Sequence, residues 1–248
     1  MKFAVMGSPI AHSHSPTLHR AGFEYLGLDA EYLRIEKTEL KEHDLEGFSG
    51  LSLTMPLKDD AFRLADSHDD ESLATGVSNT LLIGDNKVFG MNSDVYGIQI
   101  SLKKLDFENV QIIGTGATAK SAAYAVRDRK VFFAGRNSEK VAAIESWAST
   151  HQIDIAHSDE VDLVIDTTPA ESRLEYVKHE YLLDLAYNSE RNARHPKLIS
   201  GLEMLLNQAV VQNIAFASAH LDEKIDFVEL TDAMREALVS RVGEWANA

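Results

Sequence analysis

The sequence contains no cysteine, which removes disulfides, thiolate metal clusters and thiol nucleophiles together. That lack fits a reducing compartment. Cations are scarce: 24 Lys and Arg face 39 Asp and Glu, a formal charge of −15 with histidines neutral. Such a chain lacks the basic footprint that displaces counterions, which argues against a nucleic-acid partner; a local site for a small anion is still compatible with it. No run approaches the roughly 18–20 apolar residues of a membrane helix. The apolar stretch after Lys2 is only Phe3 to Met6 before Gly7-Ser8-Pro9, too short for an export signal. The expected location is cytoplasmic, with no membrane partner. Internal repeats, low-complexity tracts and Pro/Ser-rich linkers are missing as well, so any two lobes join through ordered elements.

What remains is a 248-residue chain, 44% apolar and 25% charged, enough for one large or two small globular domains. Lys2 to Met6 reads as a buried strand. A helix follows to Leu26, with Ser15 as N-cap and Pro16 at its first position. Ala30 to Ile35 and Gly50 to Thr54 read as strands, and Leu57 to Ala65 as a helix. Thr80–Ile83, Gly84-Asp85-Asn86 and Lys87–Gly90 form a hairpin pattern. The texture changes near Asp94. Strands at Val110–Ile113, Val131–Ala134, Val161–Asp166 and Tyr181–Leu185 then alternate with helices at Ala117–Val126 and Ser138–Ser149. Such alternation predicts βαβ units and a parallel sheet. From Gly201 the pattern is helical, and Thr231 to Trp245 reads as an amphipathic terminal helix.

Gly114-Thr115-Gly116-Ala117-Thr118-Ala119 fits G-x-G-x-x-A between a strand and a helix. The first glycine allows the tight turn, and the second lets backbone N–H groups approach a pyrophosphate at the helix N-terminus. An NAD site usually carries an acid about 20 residues further on, at the end of the next strand. Gly135-Arg136-Asn137 stands there instead, with Lys140 four residues after Arg136. A guanidinium clamps a 2′-phosphate bidentately and a lysine adds a second charge, so the predicted cofactor is NADP.

Four N-terminal segments place hydroxyl, amide and ionisable groups where strands or loops end: Gly7 to Pro16, Ser52 to Lys58, Gly76 to Thr80, and Asn92 to Asp94. Together they suit a polyhydroxylated carboxylic acid. Ser13 and Ser15 offer donors to a carboxylate, Asn79 and Asp94 partners for ring hydroxyls, and Lys58 a proton donor or acceptor.

As a set, these segments resemble the shikimate dehydrogenase (shikimate/quinate dehydrogenase) family. Its pattern is G-x-P-I-x-H-S-x-S-P, N-V-T-x-P-x-K, A-V-N-T, N-T-D, a Gly-rich loop and a late M-L-x-x-Q, here Met204 to Gln208. Order and spacing agree from Phe3 to Gln208. The resemblance implies an α/β chain of two lobes. Residues 1–96 plus 201–248 would form the substrate-binding domain, with the C-terminal helices returning to the first lobe, and 97–200 the Rossmann NADP-binding domain. It implies reduction of 3-dehydroshikimate to shikimate, with Lys58 as general acid–base and Asp94 beside it. Ser13 and Ser15 would bind the carboxylate with help from Tyr187, while Thr54, Lys58, Asn79, Asp94 and Gln208 surround the ring hydroxyls. Gly114, Thr115, Gly116, Ala117 and Thr118 would hold the pyrophosphate, Arg136 and Lys140 the 2′-phosphate, and Gly201 would lie near the nicotinamide.

The sequence departs from that pattern at Ser52 (Asn in many members), Ser93 (Thr), Ala117 (Gly), Gly135 to Asn137 (N-R-T) and Ser189 after Asn188 (Pro). Ser52 keeps quinate or aminoshikimate open as substrate, and a non-catalytic sensor is the alternative of another class. His12, His14 and His19 lack convincing further ligands, so no metal is expected and they read as loop or surface histidines. The acidic runs Glu36–Glu46 and Asp66–Glu71 read as solvated faces. Leu105, Trp147 and Trp245 read as packing residues. One sequence leaves monomer and homodimer equally open.

Overall fold

In β1 (Lys2–Gly7), pleating sends alternate side chains to opposite faces, and both faces are covered. Phe3 and Val5 join Phe23, Tyr32 and Phe216 on one side; Ala4 and Met6 join Leu51, Leu57 and Leu81 on the other. Burial on both faces explains the continuous apolar run. The structure is a computed structural model, which describes residues 1–172, 175–187, 191–221 and 224–243. Asn188, Ser189 and Trp245 lie outside the described residues.

α1 (Ser15–Tyr25) has Pro16 in its first turn, but its N-cap is His14 and not Ser15, with no side-chain cap bond. Ser15 is already helical, and its hydroxyl meets Ser13 Oγ at 3.2 Å. β2 (Glu31–Glu36) and β3 (Gly50–Leu53) flank β1 in parallel. α2 (Lys58–Leu64) follows β3 after a turn through Pro56. β4 (Ser67–His68) and α3 (Asp70–Thr75) come next. The run Asp66–Glu71 is therefore more than a solvated face. Asp69 caps α3, accepting from the Ser72 N–H at 2.8 Å, and also accepts from the Asn92 N–H. Burial pushes its carboxyl above the usual aspartate value. β5 (Thr80–Gly84) and β6 (Lys87–Met91) form the hairpin, with φ of +50° at Asp85 and +58° at Asn86, as a primed two-residue turn requires. The first sheet, ordered β2-β1-β3-β5-β6-β4, is consequently mixed and not wholly parallel.

α4 (Ser93–Leu102) leads to β7 (Asn109–Ile113), α5 (Ala117–Ala125), β8 (Lys130–Ala134), α6 (Ser138–Thr150) and β9 (Asp154–Ile155). β10 (Glu160–Asp166), β11 (Lys178–Asp184) and β12 (Leu198–Ser200) complete a second sheet. Its order is β12-β11-β10-β7-β8-β9 and every pair is parallel. This is the doubly wound dinucleotide-binding order, whose ligand crevice opens where the winding reverses, beyond the C-terminal ends of β7 and β10.

α7 (Gly201–Ser218) and α8 (Phe227–Val242) end the described fold. α8 starts four residues before the expected Thr231 because Asp226 caps it, accepting from the N–H groups of Val228 and Glu229. The chain divides into two compact units, one of Met1–Gly97 with the chain from Leu206, the other of Ile98–Leu205. Among the described residues no helix is long and apolar enough to cross a membrane.

Candidate active site

Lys58 opens α2, and its Nζ donates to Asp94 Oδ2 at 2.5 Å; the two side chains are only 12% and 7% exposed. Asp94 sits in the first turn of α4 and accepts a second bond, from Asn79 Nδ2 at 2.7 Å. The orientation of the Asn79 amide follows from its other partners. Its Oδ1 accepts from Thr80 Oγ1 and from the Ser93 N–H, both at 2.8 Å, so the amino side must face Asp94. Ser93 Oγ lies 3.0 Å from that filled oxygen and 3.2 Å from Gln208 Oε1. Its hydroxyl is within donating reach of both oxygens. Gln208 reaches this group from α7 because residue 97 is glycine: a Cβ there would stand 2.7 Å from Gln208 Cβ. Lys58, Asn79, Asp94 and Gln208 thus converge from α2, the start of β5, α4 and α7, all in the first unit.

Behind them lies a buried polar layer that the motifs did not reveal. Gln212, one turn beyond Gln208, donates to Asn79 O at 3.2 Å and Thr80 Oγ1 at 2.8 Å. Its Oε1 accepts from Ser52 Oγ at 2.9 Å and meets His19 Nε2 at 3.1 Å. Since that oxygen only accepts, the network assigns the imidazole proton to Nε2. Burial holds His19 neutral, its pKa lowered to about 3. The ring stacks on Tyr32 at 4.4 Å with 8° between planes. His19 is therefore not a loop or surface histidine but a core residue of α1. Ser52 is equally committed: it accepts from Tyr32 OH at 2.7 Å and donates to Gln212, and it is buried. A sequence signal existed. Asn207, Gln208, Gln212 and Asn213 are buried amides in an otherwise apolar helix, and buried amides imply partners.

Ser13, in the loop after β1, and Ser15, the first residue of α1, lie side by side, both buried, with the Ser15 N–H donating to Ser13 Oγ at 3.3 Å. β2 holds this loop at two points. Glu36 accepts from Ser8 Oγ at 2.7 Å, and Arg34 Nη2 donates to Ser13 O at 2.7 Å. His14 between the serines is pushed below the usual histidine value by burial, then by the positive charge of Arg241, Arg34 and His12. Thr54 is half-buried in the turn after β3, its N–H donating to Met6 O at 2.9 Å.

In the second unit Gly114 follows β7 with φ +119°, a left-handed value that favours glycine, and a Cβ there would clash with Thr167 Oγ1. Thr115 continues the turn; Gly116 caps α5 without a side-chain bond, and Ala117 and Thr118 begin a first turn free of acidic residues. A Cβ on Gly116 would meet nothing within 4 Å. This glycine-edged helix start suits an anion. Arg136 and Lys140 are exposed around the N-terminus of α6, and neither is in an ion pair among the described residues. Tyr187 follows β11, half-buried. Gly201 opens α7, where a Cβ would come within 2.7 Å of Asp184 O; close packing is its evident requirement. Among the described residues no cluster of three or more His, Asp or Glu is arranged to hold a metal ion.

A dinucleotide-type sheet in one unit, and a buried lysine–aspartate pair ringed by amides in the other, define a pyridine-nucleotide-dependent oxidoreductase. Residues 5–81 match the family model described as the shikimate dehydrogenase substrate binding domain. Shikimate dehydrogenase (NADP(+)) of Staphylococcus aureus strain Newman is 37% identical over 191 residues, spanning 68% of this chain and 69% of the relative. The enzyme of the same name from Leptospira interrogans serovar Lai is 28% identical, over 96% of each chain. Among solved structures, shikimate 5-dehydrogenase of Thermus thermophilus in complex with shikimate superimposes with a TM-score of 0.79 at 26% identity, covering 96% of this chain and 99% of that one. Shikimate dehydrogenase of Mycobacterium tuberculosis gives 0.78 at 28% identity, with the same coverage. The chain belongs to the shikimate dehydrogenase family.

Proposed function

We propose that the chain interconverts 3-dehydroshikimate and shikimate using NADP(H), and that it does so in the cytoplasm. The Lys58–Asp94 pair, held by Asn79, carries this reading. When bound, the nicotinamide cofactor donates or accepts the hydride at carbon 3. The protein's part is the proton. Lys58 Nζ gives one to the ketone oxygen as it becomes a hydroxyl, and takes it back in the reverse direction. Its positive charge also stabilises the developing oxyanion. Asp94 holds the ammonium in place, and its second oxygen is anchored by Asn79, so the donor meets the substrate in one fixed geometry.

Ser13 and Ser15 bind the carboxylate, and Thr54, Asn79 and Gln208 take the ring hydroxyls. Gly114 to Thr118 hold the pyrophosphate, Arg136 and Lys140 the 2′-phosphate, and Gly201 borders the nicotinamide. The uncapped α5 start, and cations near α6 that form no ion pair among the described residues, support an anionic nucleotide there. Ser52, the departure that kept other substrates open, is committed to Tyr32 and Gln212 in the buried layer, and the relatives named shikimate dehydrogenase (NADP(+)) support shikimate as substrate.

Purified protein mixed with shikimate and NADP⁺ should develop the NADPH absorbance. Lys58→Ala should lower kcat by about 10²–10⁴-fold, the usual range for a lost acid–base group. Wild-type turnover no greater than that of Lys58→Ala would overturn the reading.

A further inference from the structure

The serine corner has donors but no charge of its own. A carboxylate entering a polar site from water gives up hydration, and charge-assisted bonds offset that loss far better than neutral hydroxyls do. Lys58 is committed to Asp94. A source of positive charge bonded directly to this corner is the face of β2, through Arg34. Tyr32, Arg34 and Glu36 alternate onto one side of that strand. Tyr32 lies under α1, while the next two hold the loop that carries the serines. Glu36 fixes its beginning at Ser8 and Ile10, and Arg34 fixes Ser13 through the carbonyl oxygen at 2.7 Å. That bond uses one of the guanidinium's several donors. Arg34 forms no ion pair among the described residues. Arg34 is exposed, so its charge is free to meet an incoming anion. His14, between the serines, is held below the usual histidine value by burial first, and then by the charges of Arg241 and Arg34.

We propose that Arg34 is the charge-selecting residue of the substrate's carboxylate subsite: fixed by the Ser13 carbonyl, its guanidinium makes this corner prefer a carboxylate to a neutral group of the same shape. The inference rests on the reading of Ser13 and Ser15 as the carboxylate site, and it assigns the selectivity to a residue outside that pair. Arg34 acts here as a positioning residue for Ser13 and as a source of field.

The test compares kcat/KM for shikimate with kcat/KM for its neutral methyl ester, at saturating NADP⁺. In Arg34→Met the shikimate-to-ester ratio should fall about fivefold, the size of one partly exposed charge interaction. Arg34→Lys keeps the charge and should hold the ratio within about twofold of wild type. Added salt should lower the wild-type ratio and leave that of Arg34→Met unchanged. Equal losses on both substrates would mean that Arg34 only shapes the loop and would overturn the proposal, as would no loss on either. Ser13→Ala separates the two levels. If it weakens shikimate while Arg34→Met leaves the ratio intact, the carboxylate reading stands and the Arg34 proposal alone fails. If Ser13→Ala changes neither substrate, both fall.

Discussion

Ser93 does two jobs with one side chain and one N–H. Its backbone N–H donates to Asn79 Oδ1, and its hydroxyl lies 3.0 Å from that oxygen and 3.2 Å from Gln208 Oε1. Removing the hydroxyl leaves the Asn79 amide fixed by the backbone and Thr80, and takes the shorter of two contacts from Gln208 Oε1, the other being Asn79 Nδ2 at 3.5 Å. Ser93→Ala should therefore raise KM for shikimate by about 3- to 10-fold, the worth of a neutral hydrogen bond, and leave KM for NADP⁺ unchanged. Ser93→Thr keeps the hydroxyl and should restore the wild-type value. Steady-state kinetics with each substrate varied in turn decide it; equal KM values for wild type and Ser93→Ala would remove Gln208 orientation from the account. The sequence showed this residue only as a departure from N-T-D. Its work lies in where a single proton points, and spacing along a chain does not encode that.

Among elements, α7 carries the largest share of what sequence reading missed. Gln212 joins α1, β3 and β5 through His19, Ser52 and Thr80, residues up to 193 positions apart in sequence. Such partners are visible only once the sheet has brought its strands together. Gln212→Leu leaves the Ser52 hydroxyl proton and His19 Nε2–H without an acceptor, while Asn79 O keeps the Leu53 N–H and Ser52 Oγ keeps Tyr32 OH. Each buried orphan costs about 1–3 kcal/mol, so a loss of roughly 2 kcal/mol or more is expected as a lower denaturant midpoint in urea unfolding. A midpoint within experimental error of wild type would show that the layer rearranges freely. The legible elements share a different character. β1, β7 and β10 are apolar runs buried on both faces, and the β5–β6 hairpin is announced by Gly84-Asp85-Asn86. β4, β9 and β12 have two or three residues each, too few to display a period. α3 is hidden because its capping Asp69 looks like one more acid in a run of acids. The Lys58–Asp94 pairing was legible for the opposite reason: each residue sits in a motif whose neighbours are specific.

At the scale of the whole molecule, the chain carries an excess of 15 negative charges, and the proposed function places the acceptance of anions on a few local cations: Lys58, Arg34, and Arg136 with Lys140. The same charge balance shapes its response to acid. Lowering the pH neutralises carboxylates and relieves repulsion, yet it also works against groups that the fold keeps neutral. His19 is the clearest of these, with a folded pKa of about 3 against an ordinary 6.5. A histidine whose folded value is depressed binds fewer protons in the folded state throughout that window. Its contribution to stability is complete above about pH 6.5 and is lost as the pH falls toward 3, with a slope of up to about 1.4 kcal/mol per pH unit. His14 shifts in the same direction, by burial first and the neighbouring arginines second. Between about pH 6.5 and 5.5, above most of the ordinary carboxylate titration, histidines dominate the slope. Urea unfolding across that interval should show stability falling with acid in the wild type. In His19→Gln, which keeps an amide donor toward Gln212 but cannot take up a proton, the fall should be shallower by most of one proton's worth. Parallel slopes for the two proteins would mean that His19 is reached by solvent and protonates without unfolding the core around Tyr32 and Phe216, and the buried polar layer behind the active site would then lose its role as the acid-sensitive part of this fold.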